Sequence, residues 1–582
     1  MNQVKPQSFF ALILLPIILF IGCSSEGPSE KPRIFTRHLL NSEKKICVID
    51  MGPLNREIFD ELMSEGRLPH IKKLTDRGLT IRLDRGGSRY LSDGAFYSEI
   101  FTGVRAGDNG IIAEWWGTES SPGYTFSNYQ ELIPPGLFEL LPEKGISSLF
   151  INCPLSHPAP KNGAVVISDR FLLCPDDAVY PPELGELLSD EGILPRKEGI
   201  ESRIKDLLAS RTMIMKADVE ALNRFINYPL SEKNFDDLVG DNVDPGPRHL
   251  EKSLRVLAWE LRKDRTILKI LTFLESNYPL PDIIMIRSGV LEQAQRFFMR
   301  YHYARGYNIT PKEMERFGSI VERCYEYADE FLGQVMDILP SRRRTILISG
   351  CRMEPTTAWT DSIINDPTIA ARIYRGHPIG FRINPSNLAN ELNYALRTKK
   401  DVVLRPYRQW PLYPFAANND GFMFELMPSS VESAKKQEVI NLLTNCSDEH
   451  GGRLFDIVKA VGPDNDIILL KVRNNIASTD LFDAEGVIIS AGDFIEEYPQ
   501  VSAFTAPGGM LIVYPYREFK DWDSKVKSPA DINELLLSIM GLQVNGYGNE
   551  VPDSDRQYPP YPHNRVCDKD LGYILNALGY IE

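Results

Sequence analysis

The chain has 582 residues, 43% of them hydrophobic and 25% charged, an ordinary globular composition with ample length to bury a large core. A formal net charge of −14 argues against a nucleic-acid partner and against polybasic attachment to anionic lipid, since both need a basic surface. It leaves phosphate esters open, because a local site on an acidic chain can still hold them.

The N-terminus carries the first specific signal. Lys5 is the only charge in the first 22 residues, and 9–21 form an apolar run interrupted only by Pro16. Phe20-Ile21-Gly22-Cys23 follows, then Ser24-Ser25. The apolar run is too short for a comfortable membrane span, and a small residue precedes the cysteine. This looks like a lipoprotein signal peptide over 1–22, so Cys23 is expected to be acylated and to become the mature N-terminus. A plain secretory signal or a membrane anchor is the alternative. Several acyl chains on one residue would hold the protein at a membrane, on the outer-membrane or periplasmic side of a bacterial envelope. A polar tether over 23–42 would then lead to a folded body over 43–582. Without Cys23, seven dispersed cysteines remain, with no CxxC spacing. They fit neither a disulfide framework nor a zinc finger, although an oxidising envelope would permit one or two disulfides.

Along the body, short apolar runs predict strands at 45–50, 147–152, 164–168, 282–287, 345–349, 466–472, 487–490 and 510–514. Helical periodicity falls at 55–66, 135–145, 182–188, 291–303, 311–339 and 529–540. Strands alternating with helices predict an α/β fold, a mostly parallel central sheet flanked by helices. Reactive groups in such sheets sit beyond the carboxyl ends of strands, here Asp50, 288–295, Gly350 and Cys351. The charged helical stretch 195–280 and the proline-, asparagine- and aromatic-bearing stretch 355–465 read as insertions.

Residues 46–78, ICVIDMGPLNREIFDELMSEGRLPHIKKLTDRG, resemble the opening of the type I phosphodiesterases and nucleotide pyrophosphatases of the alkaline phosphatase superfamily. Thr102-Gly103-Val104 with Asn109-Gly110-Ile111 is similar to the next signature of that family, with asparagine in place of histidine. Residues 151–158 (INCPLSHP), 179–184 (VYPPEL), 485–492 (EGVIISAG) and 529–551 resemble further blocks in the same order. The resemblance implies an alkaline-phosphatase-like fold over about 43–555. It also implies two metals, usually zinc, that clamp a phosphate ester while a threonine or serine hydroxyl attacks phosphorus.

Zinc needs carboxylate or imidazole ligands, and the ligand slots implied by the resemblance are mostly filled by other residues. Asp50 fits the first. Leu291 and Gln295 stand for an aspartate and a histidine, Gly350 and Cys351 for a second such pair, and Phe482 for a late histidine. The nucleophile slot falls on Asp93, with Ser92 one residue off register. Asp93 also reads as a helix N-cap, and Asp50 as a strand-end carboxylate satisfied by backbone amides. Two rescues are conceivable: Glu292 turning inward to replace the lost aspartate, or Cys351 joining Asp50 and Asp93 on a metal. The Ser447–Gly452 stretch, SDEHGG, looks like a displaced ligand motif and reads better as a surface turn. The remaining histidines show no paired metal spacing.

The favoured expectation is a catalytically degenerate lipoprotein that holds no metal and acts by binding an unidentified ligand or protein. The alternative is a divergent phosphohydrolase or phosphotransferase with two zinc or manganese ions. A scaffold for other envelope proteins is the third reading.

Overall fold

The computed structural model describes residues 34–35, 45–83, 93–106, 109, 111, 115–117, 124–132, 134–172, 175–196, 216–227, 230, 247–304, 309–340, 343–355, 381–383, 385–396, 403–408, 421–427, 433–461, 467–472, 480–497, 502–506, 508–515 and 522–542. The chain divides into units 1–34 and 35–582, and all the elements below belong to the second. Cys23, the signal peptide, the tether and Ser92 lie outside the described residues.

In chain order the main elements are β1 (Ile46–Asp50), α1 (Arg56–Ser64), α2 (Pro69–Arg77), β2 (Leu79–Leu83), α3 (Asp93–Thr102) and α4 (Leu137–Glu143). Then come β3 (Ser148–Ile151), β4 (Val165–Ile167), β5 (Val179–Tyr180), α5 (Pro182–Asp190), α6 (Pro247–Asn277), β6 (Ile283–Arg287) and α7 (Val290–His302). α8 (Pro311–Phe317), α9 (Ile320–Ile338) and β7 (Arg344–Ser349) follow. After them lie α10 (Pro385–Ala395), β8 (Val403–Arg408), β9 (Gly421–Met427), α11 (Ser433–Asn445), β10 (Phe455–Val461) and β11 (Ile467–Val472). The chain continues through β12 (Leu481–Ala484), β13 (Val487–Ser490), β14 (Gly509–Tyr514) and α12 (Pro529–Met540).

Eight strands form one sheet in the order β2-β14-β7-β1-β6-β3-β4-β5. β7, β1, β6, β3 and β4 run parallel, while β14, β2 and β5 join antiparallel at the two sides. The interiors of the parallel strands are apolar because helices cover both faces, and polar residues fall at their ends. All five residues of β1 and of β6 are buried. The fold is therefore α/β with a large central sheet flanked by helices, as the alternation predicted.

One face of the sheet shares a core with α3, α4 and α12, through residues such as Val48, Met285, Phe101, Phe138 and Leu536. α3 is buried along nearly its whole length, wedged between this core and α12. α7 has the opposite character. Leu291, Gln295, Phe298 and Met299 recur at helical spacing on its buried face.

A second core belongs to the four-stranded antiparallel sheet β8-β9-β11-β10, helices α10 and α11, and the β12–β13 hairpin. The runs at 466–472 and 487–490 thus belong to antiparallel structures, and the run at 510–514 enters the central sheet antiparallel. The predicted helix 311–339 is two helices, the first opened by a reciprocal Thr310–Glu313 cap. Cys47, Cys153, Cys324, Cys351 and Cys446 are free and buried. No helix among the described residues is long and apolar enough to cross a membrane.

Candidate functional site

The parallel register sets Asp50, the last residue of β1, beside Arg287, the last residue of β6. Both lie at the carboxyl ends of their strands, where an α/β sheet presents its reactive groups. The following turn, Gly52, has φ +74°, and a Cβ there would lie 3.3 Å from the Cβ of Glu292. A glycine is needed both for that backbone conformation and for the close approach of α7.

Arg287 is the centre of the site. Its guanidinium is paired with the Asp93 carboxylate, lies 2.6 Å from Glu292 Oε2, and places Nε 3.8 Å from Asp50 Oδ2. Arg296, one turn further along α7, donates to Glu292 Oε1 at 2.6 Å. The Asn152 side chain, just beyond β3, donates to the Arg287 carbonyl at 2.9 Å and fixes the end of β6. Asn152 itself has φ 57°, a conformation asparagine tolerates better than most residues. Asp50 completes the cluster by accepting from the Gly52 amide at 2.9 Å and the Tyr97 hydroxyl at 2.8 Å.

The electrostatics follow from these contacts. Burial alone would raise the Glu292 carboxyl, but the Arg296 and Arg287 guanidiniums outweigh it and hold it below the usual carboxylate range. Its place in the first turn of α7 also favours the anion. Asp50 goes the other way. Burial raises it more than Arg287, the Gly52 amide and Tyr97 lower it, and Glu292 adds to the rise. Protonation of Asp50 would leave two carboxylates facing two guanidiniums, a balanced cluster.

Asp50 and Asp93 come together, but through a guanidinium between them. Glu292 does turn inward, and it is held by two arginines. Leu291 is fully buried in the α7 face. Gln295 is committed to structure: its carbonyl accepts from the Asn55 amide at 2.8 Å and Tyr325 at 2.9 Å, and its amide donates to the Pro53 carbonyl at 2.7 Å. A Cβ at Gly350 would lie 2.6 Å from the Phe96 ring, which occupies the space an aspartate would need. Cys351 is buried, and its carbonyl accepts from the Leu54 amide and the Ser349 hydroxyl. Phe482 is buried in the second core, among residues such as Leu442 and Phe494.

Ser447–Gly452 is a surface turn in which Asp448 accepts from the His450 and Gly452 amides. Asn109, the asparagine in the histidine position, clamps the turn after α3. It donates to Ser98 Oγ at 2.9 Å and the Val104 carbonyl at 3.0 Å, and accepts from the Ile111 amide. Among the described histidines, His157 meets Ser168 and His302 meets Glu322.

Two zinc ions bring roughly four positive charges and need several anionic or imidazole ligands. The residues present do not fit them: the three carboxylates already face guanidiniums, and Phe96 fills the Gly350 position. Among the described residues no group of three His, Cys, Asp or Glu side chains is arranged to hold a metal ion.

Sequence reasoning missed Arg287, Arg296 and Tyr97. It also missed a second buried group beside them. Ser288 donates to Asp264 of α6 at 2.6 Å, and Glu260 of α6 packs against Gly289, where its carboxylate leaves no room for a Cβ.

No family model matches the chain, and no curated protein matches it in sequence. Among solved structures it is similar to phosphonoacetate hydrolase from Sinorhizobium meliloti 1021 in complex with phosphonoformate, at 11% identity and TM-score 0.39, over 85% of this chain and 95% of that one. It is also similar to wild-type alkaline phosphatase PafA, at 12% identity and TM-score 0.42, over 86% of this chain and 96% of that one.

Proposed function

We propose that this chain is an envelope lipoprotein, anchored through Cys23, whose body is a metal-free relative of the type I phosphodiesterases in the alkaline phosphatase superfamily. It acts by binding and not by hydrolysis. The ordered sequence blocks and the strand-end position of Asp50 support the kinship. One observation carries the loss of catalysis: the Arg287 guanidinium lies among Asp50, Asp93 and Glu292, where cationic metals would have to sit. Arg287, with Arg296 behind Glu292, thus supplies the positive charge that the carboxylates need, and it leaves no open coordination position for a substrate oxygen.

The competing reading, a divergent metal-dependent phosphodiesterase, draws on the same convergence of three carboxylates, which could ligate a metal if Arg287 were displaced. An assay of a chromogenic phosphodiester with added zinc or manganese separates the two. Degeneracy gives the same background rate for the native chain and for Asp93→Ala. A metal-dependent rate abolished by Asp93→Ala would overturn it.

A further inference from the structure

A cavity of about 630 Å³ opens at the edge of the central sheet, between α1 and the ends of β2, β7 and β14. None of Asp50, Asp93, Arg287 and Glu292 lines it, although Cys351, one of the altered ligand slots, does. Three guanidinium-bearing residues do: Arg56 at the start of α1, Arg82 on β2 and Arg352 just past β7. Phe59, Met63 and Met510 give it an apolar wall.

The three arginines are not equivalent. Arg56 lies 3.3 Å from Asp60 and Arg352 lies 2.8 Å from Glu354, both as solvent-exposed pairs worth little by themselves. Arg82 is exposed, and its guanidinium makes no hydrogen bond or ion pair with any described residue. Strand alternation turns it away from Ile81, which enters the core shared with α3. Three cations and one carboxylate, Asp60, therefore line one opening of a chain with net charge −14, and one of the cations has its hydrogen-bonding fork uncommitted. The volume lies within the usual range for small-molecule sites, roughly 300–1,000 Å³. An arginine fork matches two oxygens of a phosphoryl group, and an apolar wall beside it suits an organic substituent.

We infer that this cavity binds an amphiphilic phosphate ester, with its phosphoryl group on Arg82, flanked by Arg56 and Arg352, and its apolar part against Phe59, Met63 and Met510. The inference does not depend on whether the Arg287 cluster is catalytic. The phosphoryl group has two conceivable sources, a soluble organophosphate or a membrane phospholipid, and the shared chemistry is the same.

The test is isothermal titration of the full-length chain with phenyl phosphate, with dihexanoyl phosphatidic acid, and with benzyl alcohol as the uncharged probe. At least one phosphate probe should bind with unit stoichiometry while benzyl alcohol does not. Binding of phenyl phosphate would identify the soluble class, and binding of phosphatidic acid alone the lipid class. Arg82→Glu, at an exposed position that tolerates substitution, should weaken binding about tenfold or more. Met510→Trp, which fills the apolar end, should weaken it independently. Failure of both phosphate probes to bind, or binding unchanged by Arg82→Glu, would overturn the site.

Discussion

The carboxyl edge of the central sheet has two halves of opposite character. At β1 and β6 the charges are buried and turned on one another, Arg287 and Arg296 against Asp50, Asp93 and Glu292. At β7, β14 and β2 the arginines are exposed around an open cavity. The first half resembles a reaction centre in position and closes it in substance, because every charge there already has an internal partner. The second keeps only an altered ligand slot, Cys351, on its lining, yet it holds exposed arginines. A site's position in a fold therefore says less about present function than whether its charges are still free to meet a ligand.

The largest expected effect is at the closed half. Arg287→Met would leave the Asp50 and Asp93 carboxylates without their cation beside Glu292, which would keep only Arg296, at a cost of about 3–5 kcal/mol by urea denaturation. A loss well under 1 kcal/mol would mean that the guanidinium is not what neutralises them. Next comes Gly350→Ala. Its Cβ would lie 2.6 Å from the Phe96 ring, itself buried in the core, so overpacking should cost about 1–3 kcal/mol. A neutral outcome would show that the ring yields and that an acidic ligand could be restored there.

A smaller effect, dependent on pH, is expected at Asp264. Burial drives its pKa well up; the Ser288 hydrogen bond and Lys263 oppose the rise, and Glu260 adds to it. A raised carboxyl contributes stability at low pH that is lost as pH rises through the folded-state value. Asp264→Asn has no such loss. It should gain on the native chain progressively as pH climbs above the ordinary aspartate value of about 3.9. Denaturation midpoints across a pH series would show this, and a difference that is flat or shrinks with rising pH would count against it.

Much of the sheet was legible because buried parallel strands are written as short apolar runs. β1, β6 and β7 fall where the runs at 45–50, 282–287 and 345–349 placed them. Direction was not legible. The run at 466–472 reads like a parallel strand but pairs antiparallel in a separate sheet, since a short buried run carries no sign of its neighbour's orientation. Asp50 and Asp93 were legible through their spacing to the surrounding blocks. Arg287 was not, for a single arginine at a strand end forms no motif. A signal was nonetheless present: an arginine closing the apolar run Ile283–Arg287 needs buried acceptors, and carboxylates are the usual ones. Glu292 and Arg296, four residues apart on one helix, are a pair that could have pointed to it.

The most direct measurement is metal content, by elemental analysis, of the full-length chain purified without chelators and then equilibrated with excess zinc or manganese. A closed Arg287 cluster predicts less than about a tenth of an equivalent, with no change in melting temperature on adding metal or chelator. About one to two equivalents, reduced by Asp50→Ala or Asp93→Ala, would contradict it and return the carboxyl edge of β1 to metal-dependent phosphoester chemistry.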